Sequence, residues 1–322
     1  MGRTSSHGDR SYCCSIAADR GTLRTMPRDS PNVGSRYENH PGLQWLRRFA
    51  SGRAWLAKLP GLVAESADKW SIRLESPFPY AYCSLAVPGV LPDETPVVLK
   101  IQYPDRESQH EAAALRHWAG DGAIQLLAFD PGHSALLLER CLPGTALAEL
   151  DSAQELGVMI ELLNRLLKPA ASPFRTLTDE AHHWAEGLLS KWERAGRPFQ
   201  RKLLEATLDL LATLPESQGE QVLLHQDLHG GNVLRAQRQA WLAIDPKPLV
   251  GEREFSVGPV ARGMTRPSTQ RLLNWRLDRL VEALSLNRER ARGWALVQTL
   301  AWAFEGANVL PEQVQTALWL LE

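Results

Sequence analysis

Three polar residues at the ends of short apolar segments are suited to chemistry on a phosphate group. Asp227 and Asn232 are separated by four residues in the loop 225–232, and Asp245 follows thirteen residues later, after the apolar segment 241–244. Phosphoryl transfer needs one carboxylate that orients the acceptor hydroxyl and takes its proton. It also needs an amide oxygen and a second carboxylate that hold Mg2+ against the nucleotide phosphates. The spacing therefore predicts Asp227 as the catalytic base, and Asn232 and Asp245 as metal ligands.

Two other interpretations of this loop stay open. Asp and Asn side chains often cap their own backbone, so a D-x4-N loop also occurs in ordinary turns. In addition, His225, Asp227 and His229 alternate, and on a strand they would share one face like the ligands of a metallohydrolase. The two glycines between the Asp and the Asn favour a loop over a continuing strand. Apart from the adjacent pair His182 and His183, the sequence offers no His or Cys cluster that would supply further ligands.

An upstream lysine fits the same phosphate chemistry. The apolar segment 97–101 predicts a buried strand that carries Lys100, and a charged lysine there is costly unless it is paired. The helix predicted over 108–119 contains Glu111, which suits the carboxylate that orients such a lysine towards the α- and β-phosphates. We therefore predict that Lys100 and Glu111 bind the nucleotide. The simpler alternative places Lys100 at a strand end and Glu111 on a solvated helix face.

Two more segments are predicted to complete a nucleotide site. The stretches 124–129 and 135–139 favour strands, and a turn follows the second one. Position alone makes this turn a hinge where adenine would bond to backbone groups near Glu139 and Cys141. In the loop that should cover the phosphates, residues 79–82 read Pro-Tyr-Ala-Tyr instead of the glycines that allow close approach.

Hydrophobic periodicity predicts helices over most of the remaining chain. A first helix begins near His40 and should end at Pro60, before a short second helix over 62–70. The later helices are expected over a stretch ended by Pro169 and over 176–195, 199–214, 271–286, 288–307 and 311–322.

Taken together, these motifs resemble the aminoglycoside phosphotransferase superfamily, whose catalytic loop reads roughly H-G-D-x-x-x-x-N and is followed by I-D. Within it, the chain is most similar to the streptomycin 6-phosphotransferase and hydroxyurea phosphotransferase family. The resemblance extends over roughly residues 41–305. It rests on LLHQDLHGGNVL at 223–234, WLAIDPK at 241–247, LVGE at 249–252 and VG at 257–258.

The order of the predicted elements gives an α+β, bilobal protein-kinase-like fold with a small β-rich N-lobe and a mainly helical C-lobe. Residues 1–36 are rich in Ser, Arg, Gly and Asp and are expected to be a disordered tail. Residues 37–141 would form the N-lobe with the nucleotide-binding sheet. Residues 142–322 would form the C-lobe with the catalytic loop and the acceptor site.

The resemblance implies a phosphotransferase that uses ATP and Mg2+ to phosphorylate a hydroxyl of a small molecule. The implied acceptor is either an aminoglycoside such as streptomycin, or hydroxyurea. Three departures from the family pattern are the glycine-poor loop, Gln226 in place of Gly, and Ser256 in place of an Asp that braces the catalytic loop. They keep open a catalytically weak or inactive nucleotide-binding protein. A kinase for a metabolic alcohol or sugar is a further alternative.

The composition of the chain limits which binding partners and which cellular location we expect for the protein. The net charge of −1 gives no electrostatic basis for nucleic-acid binding, and no apolar run approaches the roughly 20 residues that span a bilayer. The four cysteines show neither a metal-ligand nor a disulfide pattern, which is typical of a reduced, cytoplasmic protein. We expect a small-molecule hydroxyl acceptor as the partner, with no nucleic acid, no membrane and no protein partner implied.

Overall fold

The structure, a computed structural model, describes residues 37–263 and 269–322. The predicted tail, residues 1–36, lies outside the described residues. Contacts divide the chain into two units. The described part of the first unit comprises 37–146 and 233–247, and that of the second comprises 147–232, 248–263 and 269–322. The lobe boundary after Cys141 remains a prediction.

The first unit contains a five-stranded antiparallel sheet in the order β1-β2-β3-β5-β4. Its helices are a 3-10 helix at Pro41–Arg48, α1 at Ala50–Lys69 and α2 at Glu111–Trp118. Its strands are β1 (Arg73–Leu74), β2 (Ser84–Val90), β3 (Pro96–Gln102), β4 (Leu126–Asp130), β5 (Ala135–Glu139), and the hairpin β8 (Val233–Arg235) and β9 (Trp241–Ala243). The hairpin joins this unit through bridges between Ala123 and Ala243 and between Ala146 and Leu234.

Alternation along β3 separates the core from the candidate site. Val97, Leu99 and Ile101 are fully buried in a core that also contains Leu46 of the 3-10 helix and Leu59 of α1. Because successive side chains of a strand point to opposite faces, the lysine between Leu99 and Ile101 lies on the other face of the sheet. The predicted strand is confirmed.

The predicted helix end at Pro60 is wrong. Helix α1 runs without interruption from Ala50 to Lys69 and contains Pro60 in its interior. A proline inside a helix removes one backbone hydrogen bond and strains the preceding turn. Leu59 and Val63 lie fully buried on either side of it, so the packing of the helix against the sheet offsets the local cost.

The second unit is mainly helical. Its helices are α3 (Ser152–Leu166), α4 (Leu177–Arg194), α5 (Arg201–Thr213), α6 (Val257–Arg262), α7 (Gln270–Leu284), α8 (Arg288–Ala301) and α9 (Pro311–Leu321). A small sheet has the order β6 (Arg175–Thr176), β10 (Leu249–Glu252) and β7 (Gln221–Leu224), and a hairpin pairs β11 (Phe304–Glu305) with β12 (Asn308–Val309). Helix α4 begins with a capping box, in which Thr176 and Asp179 bond each other's backbone N–H groups.

Helix α8 lies at the centre of the second unit. Every residue from Gly293 to Ala301 is buried, and Trp294 packs edge-to-face against Phe255, whose ring stacks on Trp184. The polar side chains of this buried stretch, Gln298 and Thr299, are therefore buried and form hydrogen bonds with other residues of the second unit. Within 37–263 and 269–322, no helix combines the length and the apolar character needed to cross a membrane.

Candidate active site

The first group of predicted site residues surrounds Lys100. Its Nζ lies 2.8 and 2.6 Å from the two carboxylate oxygens of Glu111 and 2.5 Å from Oδ1 of Asp245. Strand β3 supplies Lys100, the first turn of α2 supplies Glu111, and Asp245 lies two residues beyond the end of β9. Gln102, one step further along the same face of β3, donates to Glu111 at 2.6 Å. The structure thus brings three of the predicted residues into one cluster, in which Lys100 and Glu111 are buried and the side chain of Asp245 is 44% exposed.

Burial and charge act against each other in this cluster. Burial lowers the pKa of Lys100, but the carboxylates of Asp245 and Glu111 outweigh it and hold that pKa above its ordinary value. Burial raises the pKa of Glu111 to about 7, Lys100 opposes this shift, and the charge of Asp245 adds to it. Two carboxylates face one ammonium group, so a further cation would be favoured here. In a nucleotide complex, the phosphates would find the Lys100 ammonium, and the metal ion would find the Asp245 carboxylate. These two groups are already in contact.

The second group is the loop after β7. Strand β7 ends at Leu224, and a 3-10 turn at Gly230–Asn232 precedes β8. Asp227 is 2% exposed, and its carbonyl accepts a hydrogen bond of 3.0 Å from Nδ2 of Asn232. The structure therefore brings the predicted base and the predicted ligand together. Because the Asn232 nitrogen is committed to the loop backbone, its amide oxygen is the atom suited to Mg2+, which prefers oxygen ligands.

His229 belongs to the same loop. The sequence did not predict that it would lie beside the proposed base, Asp227. Its Nδ1 accepts a hydrogen bond of 3.1 Å from the N–H of Gly231, so the neutral ring carries its proton on Nε2. That nitrogen lies 3.6 Å from Oδ1 of Asp227. At this distance the ring lies beside the carboxylate without a hydrogen bond to it. The signal in the sequence was the alternation of His225, Asp227 and His229, which sequence analysis took only as a metal-ligand pattern.

The structure does not support that metal-ligand alternative. The segment after Leu224 is a loop, and Gln226 has a φ of 64°, which breaks the extended backbone that would align alternate side chains. Across the described parts of the chain, no group of three or more His, Cys, Asp or Glu side chains is arranged to hold a metal ion.

The side chain of the predicted hinge residue Glu139 is committed to the fold. Its carboxylate oxygens each lie 2.9 Å from a nitrogen of Arg238, and its backbone N–H donates to the carbonyl of Gln125 at 2.9 Å. Cys141 is buried, and burial raises the pKa of its thiol to about 12, so it is an uncharged group. Adenine recognition at these two residues remains a prediction.

The 3-10 helix at Pro41–Arg48 and its N-cap residue His40 hold the loop 78–82, which contains prolines and tyrosines instead of glycines. Nε2 of His40 lies 2.8 Å from the carbonyl oxygen of Phe78, and Nε1 of Trp45 donates to the carbonyl of Tyr82 at 3.0 Å. The Trp45 ring also stacks on Tyr82, with centroids 4.9 Å apart. Gly42 packs so closely on the carbonyl of Ala81 that no Cβ would fit. The loop is therefore held by side chains that precede it by about 40 residues, which local sequence patterns do not show.

Comparison with solved structures confirms the predicted fold class. The crystal structure of aminoglycoside phosphotransferase APH(4)-Ia superimposes with a TM-score of 0.56 at 16% identity, covering 81% of this chain and 95% of the other. At that identity the similarity concerns the fold alone. It confirms an α+β protein-kinase-like fold.

Sequence comparison is more specific. The streptomycin 6-kinase of Streptomyces griseus is 37% identical over 278 residues, which cover 83% of this chain and 90% of that relative. The hydroxyurea phosphotransferase of Kitasatospora aureofaciens is 38% identical over 272 residues, which cover 82% and 79%. The model of the family described as aminoglycoside/hydroxyurea antibiotic resistance kinase matches residues 69–309. These matches confirm the resemblance found in the sequence, and the chain belongs to the aminoglycoside/hydroxyurea antibiotic resistance kinase family.

Proposed function

We propose that this phosphotransferase moves the γ-phosphoryl group of ATP to a hydroxyl group of an aminoglycoside such as streptomycin and thereby inactivates the antibiotic. The observation that carries the proposal is the contact of the buried Lys100 with Glu111, which is also buried, and with Asp245, whose side chain is 44% exposed. Phosphoryl transfer in kinases uses a lysine that pairs with a helix glutamate and lies near an aspartate that binds the metal ion, and Lys100, Glu111 and Asp245 have this arrangement. The curated relatives, named as a streptomycin 6-kinase and a hydroxyurea phosphotransferase, support the choice of acceptor.

The proposed roles follow from the chemistry of each group. Lys100, oriented by Glu111, binds the α- and β-phosphates. Asn232 and Asp245 hold Mg2+, which when bound neutralises charge on the phosphate oxygens. Asp227 orients the acceptor hydroxyl and takes its proton. An Asp has a reference pKa of roughly 4, so its contribution lies in position more than in proton affinity.

Burial of the loop supports this role for Asp227. Its N–H donates to the carbonyl of His225 at 2.8 Å, and its carbonyl accepts from Nδ2 of Asn232 at 3.0 Å. These contacts fix the backbone on both sides of the carboxylate before any acceptor binds. A preformed base of this kind reduces the reorganisation needed during transfer.

Hydroxyurea is the second candidate acceptor, and the similarity to the hydroxyurea phosphotransferase favours it. The contacts of Lys100, Glu111 and Asp245 would serve a protein that only binds nucleotide equally well. The buried Asp227, bonded through its carbonyl to Asn232, favours the enzyme, because nucleotide binding alone does not need a base for an acceptor hydroxyl. With ATP as the donor, we further propose a cytoplasmic location, where ATP and reduced thiols occur together.

A coupled assay of ADP release from Mg-ATP tests the proposal. The acceptors are streptomycin, other aminoglycosides, hydroxyurea and simple sugars. The test variant is Asp227→Asn, which keeps the shape of the side chain, and the control is Asp209→Asn on the exposed side of α5. We expect streptomycin-dependent ADP release that falls at least about 100-fold in Asp227→Asn and persists in the control. The proposal would be contradicted if the protein binds Mg-ATP but none of these acceptors stimulates the release of ADP.

A further inference from the structure

Gln226, the residue before the proposed base, has a backbone conformation that glutamine rarely adopts. Its φ of 64° lies in the left-handed region, which glycine enters freely and other residues enter only at a cost. The residue is 2% exposed. A buried contact must therefore hold this conformation in place, because the backbone itself does not favour it.

The contact comes from helix α8. Nε2 of Gln298, a fully buried residue, donates to the carbonyl oxygen of Gln226 at 2.8 Å. This carbonyl belongs to the peptide group that joins Gln226 to Asp227. Fixing the carbonyl therefore fixes the orientation of the peptide plane from which the Asp227 side chain emerges.

A second residue sets the orientation of the Gln298 amide. Nη2 of Arg262 donates to Oε1 of Gln298 at 3.0 Å, while Nη1 donates to Oγ1 of Thr299 at 2.8 Å. Arginine can only donate hydrogen bonds and a carbonyl can only accept them. The amide oxygen must therefore face Arg262, and the amide nitrogen must face Gln226. Gly258 leaves room for this arrangement, because a Cβ there would lie 2.9 Å from Oε1 of Gln298.

Ser256 does not supply this support. Its hydroxyl donates to the carbonyl of Arg253 at 2.7 Å, within its own turn. The described contacts of the Gln226 carbonyl instead lead to Gln298 and, through it, to Arg262 at the end of α6.

We propose that Gln298, oriented by Arg262, is a positioning residue that holds the peptide group between Gln226 and Asp227 for phosphoryl transfer. This inference rests on the proposed role of Asp227 as the base. It accounts for the left-handed conformation of Gln226, because the bond from α8 holds the carbonyl of that residue. Gln298 acts through the backbone and not on the substrate.

Steady-state kinetics of Gln298→Met tests the proposal, because methionine has a similar length and cannot donate to the Gln226 carbonyl. We expect kcat to fall about 10- to 100-fold from misplacement of the base. The Kd for ATP measured without Mg2+ should stay within about twofold, since Lys100 and Glu111 are untouched. Gln298→Glu, which keeps a partner for Arg262, should lose kcat to a similar extent, and Gln154→Met on an exposed turn of α3 should not. A kcat within about twofold of the unmodified protein in Gln298→Met would overturn the proposal.

A double-substitution cycle separates positioning from general damage to the core. Glycine adopts a φ of 64° without strain, so the loop needs less support in a Gln226→Gly background. There, Gln298→Met should lower kcat by less than about threefold. An undiminished loss in that background would show that Gln298 acts elsewhere and would refute the inference.

Hydrogen exchange provides a readout that does not require turnover. Amides of the loop 225–232 should exchange at least about tenfold faster in Gln298→Met, while those of β7 should keep their rates. If no acceptor turns over, the proposed function fails, and this exchange still decides whether Gln298 holds the loop. Unchanged exchange in the loop would overturn the proposal even in an active enzyme.

Discussion

Replacing Glu111 by glutamine should weaken nucleotide binding and remove a loss of stability that the unmodified protein shows as the pH rises to neutral. Glu111 shares Lys100 with Asp245, and all three groups are held close together by contacts of 2.5–2.8 Å. The neutral amide keeps the size of the side chain and removes one of the two negative charges. It orients Lys100 less firmly, so we expect the Kd for Mg-ATP to rise at least about tenfold.

The effect on stability has a defined sign and pH window. The folded pKa of Glu111 is raised from 4.5 to about 7, chiefly by burial. A carboxyl group with a raised pKa contributes its full stability below its unfolded pKa and loses it as the pH rises through the folded pKa. At about 1.4 kcal/mol for each pKa unit, this shift corresponds to about 3 kcal/mol lost by the unmodified protein between roughly pH 4.5 and 7. The amide side chain in the Glu111→Gln variant does not titrate, so the variant loses nothing at this position.

Denaturant unfolding at a series of pH values from about 4.5 to 8 measures this difference. The unfolding free energy of Glu111→Gln, minus that of the unmodified protein, should increase by about 3 kcal/mol across the window. Glu94→Gln is the matched control, because Glu94 pairs with Arg73 at an exposed site where its side chain is 73% accessible. A difference that stays flat with pH for Glu111→Gln would refute the electrostatic reasoning about the cluster.

Three further variants probe other parts of the structure. Lys100→Met should raise the Kd for Mg-ATP at least about 30-fold, measured by nucleotide titration, because two carboxylates then face the phosphates without a cation. His229→Ala should lower kcat about tenfold at an unchanged Kd for Mg-ATP, and equal effects on both would contradict its proposed action on the base. Arg276→Met should lower the unfolding free energy by about 3–5 kcal/mol, because it leaves the buried carboxylate of Glu155, 2.8 Å from the guanidinium, without its partner. Adding Glu155→Leu should recover most of that loss, and no recovery would count against this explanation.

Local patterns predicted much of the fold. The strand at 135–139 and the helix within 176–195 agree with the structure to within a residue at each end, because a short apolar run marks the first and helical hydrophobic periodicity marks the second. Lys100 and Glu111 were predicted to pair because a lysine in an apolar strand needs a partner, and the contact is present. Their functional roles remain predictions.

Contacts between distant parts of the chain could not be predicted in this way. Pro60 was expected to end a helix, but the packing of α1 outweighs its local cost. The bond from Gln298 to Gln226 spans 72 residues, and that from Trp45 to Tyr82 spans 37. A buried glutamine in an apolar helix and a tryptophan beside a loop carry no local signal of their partners. Only the folded arrangement identifies them.

The most direct test of the central claim follows the phosphoryl group itself. The protein is incubated with Mg-ATP and streptomycin, and phosphorus NMR together with mass spectrometry identifies where the γ-phosphate goes. We predict a phosphate monoester on streptomycin that forms in step with ADP and is absent with Asp227→Asn. Release of inorganic phosphate without a phosphorylated acceptor, or full product formation by Asp227→Asn, would contradict the account.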